Sequence, residues 1–551
     1  MDPRGFKDTP EHVETVDEAG PADEEVGKAP RQVRVDANLA TQDEHDMTFL
    51  TAVKRYPKAC AWSAVVSLAI IMDGYDLALM GGLFGFPAFQ KAYGHEVGNT
   101  GRYTLSAEWQ MALGMAVPVG NIFGVALNGY LTDRLGHKPV LQGGLLVLTG
   151  LIFIQFFAKN VQTLFVGQIL CGVPWGMFTT LAPAFSSEVA PLALRSYLET
   201  WVVTCWGIGQ FFSYAVLFSL NEWDSDWAYR IPFAVQWAWP VIIIPLATFC
   251  PESPWWYVRK GRVEKAHKSV RRLTSAKSRE TAQSEVTQAV ALMIETNKLE
   301  QEETKDAHYQ TCFKGDNLWR TEVACFTWGS QILTGYAIQA YAAYFFQQAG
   351  LSPNDSFKMT LGMGGIHFVC NLASAALSGS YGRRTLYLNG CIALTVMMFV
   401  LGGLAFGPRN SAYGFATSAV YLVWYGIWCL TLGPLPYVIN GEVSSTRLRS
   451  KTIALARSTY LVLNIINSVS TPYILNPEWA NWGGKTGLLT GSLTIVSFIW
   501  AYFRLPETGG RTYEELDILF AQKNMTARKF GKAVIHRDGE LAIVTGPGLQ
   551  E

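Results

Sequence analysis

The feature that most limits this chain is a recurrence of apolar runs about twenty residues long, the length that carries a helix across ~30 Å of hydrocarbon. They fall near 61–88, 108–131, 139–158, 162–184, 197–220 and 229–249. A second set follows a hydrophilic stretch, near 320–348, 357–379, 385–406, 413–440, 451–472 and 484–503. Inside hydrocarbon only helices and closed barrels satisfy their own backbone. The expected fold class is therefore an all-α integral membrane protein of twelve spans in two groups of six. Composition agrees: 16% of the 551 residues are charged and 49% hydrophobic, against ~25% charged in a soluble domain. The formal net charge of +0 argues against nucleic acid as a partner. The nine cysteines show no CxxC spacing and sit mostly in apolar runs, so no metal, disulfide framework or cofactor is expected. Neither nucleophile elbow nor P-loop is present, which argues against an enzyme.

Charge asymmetry sets the orientation. Positions 259–279, just past the sixth run, hold nine Lys/Arg against the single acid Glu264, and by the positive-inside rule this segment is cytoplasmic. Arg134 and Lys138, and Arg383 and Arg384, fall on the same side, whereas Glu222, Asp224 and Asp226 lie opposite. Both termini are then cytoplasmic. The expected organisation is an acidic disordered tail over 1–55, a bundle over 56–250, and a cytoplasmic linker with short helices over 251–318. A second bundle follows over 319–505, then a cytoplasmic tail over 506–551. Asn354 opens a glycosylation sequon on the outer side.

Three features repeat between the halves. The turn Gly129 to Lys138, with Asp133 and Arg134, is echoed by Gly379 to Arg384, and Gly136 stands 246 residues before Gly382. Glu188 and Arg195 recur as Glu442 and Arg449 at an offset of 254. Pro251-Glu252-Ser253 recurs as Pro506-Glu507-Thr508 at 255. Duplicated halves related by an axis along the membrane normal are the architecture of major facilitator transporters. The repeated charges read as cytoplasmic locks between the bundles, each a carboxylate held by an Arg of a neighbouring helix; rocking must break them. The alternative is that they serve only the positive-inside rule.

Asp133-Arg134-x-Gly136-x-Lys138, Pro251-Glu252-Ser253 with Trp255-Trp256, and Leu505-Pro506-Glu507-Thr508 resemble the sugar porter family. Trp255-Trp256, the run 448–457 and Trp482-Gly483-Gly484-Lys485 are similar to the fungal maltose and general α-glucoside permeases. That resemblance implies a plasma-membrane proton symporter importing di- and trisaccharides, with the proton as coupling ion and no other cofactor. Gln168 stands where many sugar porters place Arg, Gly379 where they place an acid, and Asn121 where proton-coupled α-glucoside permeases carry a third acid.

Asp73 and Asp76 lie inside the first run, where a charge costs at least ~2.5 kcal/mol. At i and i+3 they share one helix face, and two nearby carboxylates in a low dielectric perturb each other, so they are the candidate proton-coupling pair. The alternative is that one hydrogen-bonds a broken helix and neither titrates. A sugar needs amides and aromatic faces, offered mid-span by Gln168, Trp175, Gln210, Gln331, Tyr437, Asn464 and Asn467. The resemblance implies sugar contact for Gln210, Gln331 and Tyr437; the others rest on polarity, with interhelical glue as the alternative. Arg457 reads as a snorkelling or interbundle group, and His367 as packing or a proton relay. Competing functions are facilitated diffusion, uptake of a hexose or of a β-linked disaccharide such as lactose or cellobiose, and sugar sensing. Lys7 and Lys28 in the tail suggest ubiquitin ligase adaptors as further partners.

Overall fold

A computed structural model describes residues 49–543 except 97–102, 276–278, 305–307, 408–409, 446–447, 477, 510, 512, 523–524, 532 and 536–540. Lys7, Lys28 and nearly all of the acidic tail lie outside the described residues. Those described form twelve helical spans. The first six are Pro57–Leu83, Ala107–Leu135, His137–Phe156, Val161–Val189, Leu192–Leu220 and a sixth in two pieces, Asp226–Val235 and Ala238–Phe249. The second half runs from Asp316–Gln331 through Ala342–Gln348 for the seventh, then Pro353–Ser380 and Arg383–Leu404. It ends with Ser411–Leu430 plus Leu435–Val443, Arg449–Leu475 and Thr486–Arg504.

Nine of these meet the length and hydropathy of a membrane helix on composition alone. The seventh, eighth and eleventh do not. Three of the spans read as continuous are interrupted, the sixth between Val235 and Ala238. The seventh carries a wide turn over Ile332–Tyr336, where Gly335 has φ 110°, and the tenth breaks between Leu430 and Leu435. Gly335 allows the break in the seventh because a side chain is rarely accommodated at that φ.

Packing repeats as the sequence does. Spans one and five, two and four, and three and six pair in the first half, and seven and eleven, eight and ten, nine and twelve in the second. Close approach needs small residues. A Cβ on Gly74 would lie 2.4 Å from the carbonyl oxygen of Trp206, and one on Gly209 2.2 Å from that of Ile71. The halves meet through spans two and eleven and through five and eight.

Contacts between the halves gather at the end away from the basic segment. Phe84 stacks on Tyr341 at 5.4 Å and Phe86 meets Phe357 edge-on at 5.7 Å. Gln347 Nε2 donates to Gly85 O at 2.6 Å, Asn354 Nδ2 to Glu222 Oε1 at 2.9 Å and Asn476 Nδ2 to Leu105 O at 3.4 Å. His95 Nε2 lies 2.8 Å from Glu478 Oε1. This end is closed.

With the opposite end closed, the described acids of the repeated motifs are held by partners in their own half or in the linker. Glu252 accepts from the backbone N–H of His137 at 2.9 Å and of Lys138 at 3.1 Å. Glu507 does the same for Arg383 at 2.7 Å and Arg384 at 3.1 Å. Each carboxylate thus caps the third helix of its own half, binding orphan N–H groups where the helix dipole favours a negative charge. Glu188 pairs with Arg259 at 2.6 Å and accepts from Ser253 Oγ; Glu442 pairs with Arg383 at 2.8 Å and accepts from Thr508 Oγ1 at 2.6 Å. Asp133 pairs with Lys260 at 2.9 Å, and Arg134 stacks on Tyr130 at 4.3 Å. Arg384 donates to Tyr502 O at 2.6 Å. The Arg195 side chain lies outside the described residues. These acids sit one to three residues from helix ends of their own bundle, and that proximity decides their partners.

The linker, expected to hold short helices, contains one of 26 residues, Arg279–Thr304, after Pro254–Arg259 and Val263–Leu273. Val258, Ala266, Val270, Val286 and Val290 give these helices a small core of their own. Past the last span, the helix Tyr513–Ala521 buries Leu516, Leu519 and Phe520 in the main core, and Phe520 packs on Trp319 at 5.0 Å.

A Cβ at Gly136 would stand 2.4 Å from Glu252 Oε2, and one at Gly382 2.3 Å from Glu507 Oε2. Gly136 also has φ 98°, whereas Gly382 has φ −62°. Gly136→Ala and Gly382→Ala should both lower the thermal unfolding midpoint of the solubilised protein, Gly136→Ala by roughly 1–3 kcal/mol more because its backbone belongs to glycine. Equal losses would show that only the carboxylate clash matters.

Candidate functional site

The first span brings two acids to mid-membrane, and the fold gives each its own partners. Asp76 is fully buried. Its Oδ1 accepts from Gln236 Nε2 at 2.9 Å and from Gln168 Nε2 at 3.4 Å, while Oδ2 has no protein partner. Gln236 comes from the break in the sixth span and Gln168 from the fourth, so this carboxylate sits within the first half, held by neutral amides where a cation is absent. Asp73, one turn earlier, turns to the fifth span: Trp206 Nε1 donates to its Oδ2 at 2.5 Å. Asn121 of the second span and Arg457 of the other half also act on it. The i, i+3 spacing therefore does not make one shared carboxylate site, although the two acids still feel each other's charge.

A second polar chain crosses between the halves. Gln339 Nε2, in the seventh span just past its break, donates to Tyr425 Oη at 2.8 Å and reaches Gln210 Oε1 of the fifth span at 3.5 Å. Tyr425 Oη lies 2.7 Å from His367 Nδ1, and Asn371 Nδ2 lies 2.8 Å from His367 Nε2. With the Asn371 amide donating, Nε2 accepts and the imidazole proton sits on Nδ1, facing the tyrosine. Five side chains from spans five, seven, eight and ten are thus joined at mid-depth.

The other candidates are placed as follows. Gln331 Nε2 donates to Gly433 O at 2.5 Å and Leu432 O at 3.4 Å, so its amide N–H bonds the carbonyls freed where the tenth span breaks. Trp175 is fully buried in the core of the first half with its Nε1 unpartnered. Tyr437 is 40% exposed and tilts against Trp328 at 5.3 Å. Arg457 covers Trp328 at 4.9 Å and Tyr460 at 4.6 Å; its interbundle reading fits the charge it presents to Asp73. Asn464 and Asn467 are half-buried on the eleventh span, which packs against the second. Sequence reasoning missed Gln236, Gln339, Tyr425 and Trp206. The rule that picked Gln168 and Gln210, an amide in an apolar run, would also have picked Gln236 and Gln339. Nothing in the sequence singles out Tyr425 among the 23 tyrosines.

Residues 62–520 match the family described as "Sugar (and other) transporter". The chain is 38% identical over 509 residues to the general alpha-glucoside permease of Saccharomyces cerevisiae, covering 92% of this chain and 82% of that one. It is 37% identical over 514 residues to the maltose permease MAL31 of the same yeast, covering 92% and 83%. Among solved structures it is similar to the xylose transporter XylE from E. coli in an inward open conformation. The TM-score is 0.67 at 20% identity, over 84% of this chain and 99% of that one. A partially occluded inward open form of XylE gives 0.66 at 19%, over 83% and 100%. Its twelve spans have the major facilitator fold, and the chain belongs to the sugar transporter family.

Proposed function

We propose that the chain imports α-glucosides, maltose-type di- and trisaccharides, together with protons by alternating access. The observation that carries this reading is the pairing at mid-depth of two differently built groups. One is a buried carboxylate among amides, Asp76 with Gln168 and Gln236. The other is a chain of donors and acceptors, Gln210, Gln339, Tyr425 and His367, spanning the two halves. The first suits a proton, because a carboxylate there is neutralised by protonation and not by an ion pair. The second suits hydroxyls, and being shared between halves it is remade whenever they rock. The relatives named above as α-glucoside and maltose permeases give the linkage. The halves 56–250 and 319–505 are the moving bodies, the closed end faces outward, and both termini lie on the cytoplasmic side of the plasma membrane. Asn121 beside Asp73, in place of a third acid, favours facilitated diffusion as the second reading. Ubiquitin ligase adaptors acting on Lys7 and Lys28 are the proposed partners of the tail.

Asp76→Asn keeps an oxygen for Gln168 and Gln236 but carries no proton. In proteoliposomes this variant should lose pH-driven accumulation of labelled maltose while retaining exchange. Accumulation at the wild-type level, still abolished by an uncoupler, would remove Asp76 from coupling. Asp73→Asn should cost less.

Tyr425→Phe removes the hydroxyl that joins Gln339 to His367. Leaving buried polar groups unpaired costs ~1–3 kcal/mol, so apparent affinity for α-linked disaccharides should fall by about tenfold with the unfolding midpoint little changed. Unchanged affinity across a panel of α- and β-linked sugars would assign the chain of side chains to packing.

A further inference from the structure

A groove of about 630 Å³ opens beside the start of the first span, lined by Lys58, Trp62, Lys268, Arg271 and Arg272. Two elements build it. The first turns of Pro57–Leu83 supply Lys58 and Trp62, and the linker helix Val263–Leu273 supplies the rest. That helix is amphipathic: it buries Ala266, Ser269, Val270 and Leu273 and leaves Lys268, Arg271 and Arg272 exposed. Arg272 also donates to Phe249 O at 2.6 Å, the last residue of the sixth span. Phe249, 67% exposed, ends an outward face with Val241 and Ile242. The groove therefore lies at the depth where the apolar surface of the sixth span gives way to charge, with Trp62 as the ring expected at such a boundary.

Four cations line it, and among the described residues no acid does. Of the carboxylates on this side of the fold, Glu188 is held by Arg259, Asp133 by Lys260 and Glu285 by Arg55, while Glu264 lies one turn before Lys268 on the linker helix. Among the described residues none forms a salt bridge with Lys58, Lys268, Arg271 or Arg272. A basic cluster immediately beyond a span, open toward the lipid boundary, fits an anionic headgroup, which gains about 1 kcal/mol per Lys or Arg near the surface. We propose that this groove binds the phosphate of an anionic phospholipid of the leaflet on the linker side. The lipid clamps the linker helix to the first span. The site is independent of the sugar and proton groups.

The test uses the full-length protein in neutral detergent with dioctanoyl phosphatidylserine as probe. The phosphatidylserine should raise the unfolding midpoint saturably, and dioctanoyl phosphatidylcholine should not. Lys268→Gln with Arg271→Gln should weaken half-saturation about thirtyfold, two cations' worth, while Lys529→Gln leaves it unchanged. Lys268→Arg with Arg271→Lys keeps the charge and should restore binding, separating charge from folding. Equal response to phosphatidylcholine, or no loss in the glutamine pair, overturns the proposal. The same shift from millimolar inorganic phosphate would make the ligand a free anion. Saturable binding that appears only after residues 1–48 are removed would assign the groove to the acidic tail.

Discussion

A peptide group in hydrocarbon has to find its hydrogen bond inside the protein, and that requirement orders everything else in this molecule. It forces helices, and it also decides where a helix can be interrupted. The tenth span breaks between Leu430 and Leu435, and the carbonyls of Leu432 and Gly433 are met by the side chain of Gln331 from the seventh span. The sixth span breaks at Gln236, whose own amide then becomes free to hold Asp76. Each interruption thus places an amide where a continuous helix would have offered only apolar surface. The polar middle of the protein is assembled from these defects.

Duplication supplies the second organising rule. Glu252 and Glu507 perform one task at equivalent places, binding the two leading N–H groups of the third and ninth spans, and Ser253 and Thr508 each donate to the next carboxylate, Glu188 and Glu442. The halves diverge in the cation that completes the set. Arg383 of the cap itself serves Glu442, whereas Glu188 takes Arg259 from the linker. The linker is therefore fastened to the first half by a contact with no counterpart in the second among the described residues, and Arg55 to Glu285 at 3.1 Å strengthens the same attachment.

Much of this was legible from the residues. Twelve apolar runs gave twelve spans, and the three repeated motifs located the acids that cap the third and ninth spans, a task the sequence reading, which took them for interbundle locks, did not assign to Glu252 and Glu507. The acids of the first span were visible as charges in an apolar run. Their separate surroundings were not, since a spacing of three fixes a helix face but not which neighbours stand over each turn. Gln168 was identified by polarity and Gln210 by polarity together with the family resemblance, and the logic of polarity was not carried to Gln236 and Gln339. Nothing in the sequence marks Gly335 as the residue with φ 110°, where a Cβ would stand 2.8 Å from Met398 and 3.0 Å from Trp424.

The seal at the closed end is made chiefly of rings, Phe84 on Tyr341 and Phe86 against Phe357, with amides bonding to backbone. The ionisable pair at its rim, His95 and Glu478, is well exposed on both sides, where such pairs contribute little. Burial of apolar surface does not depend on ionic strength as exposed charge pairs do. The barrier at that face therefore holds alike in dilute and in salty surroundings, and it weakens on cooling, as closures built from apolar contact do. A carrier with this construction is tuned by temperature at one mouth and is largely deaf there to the electrolyte that bathes it.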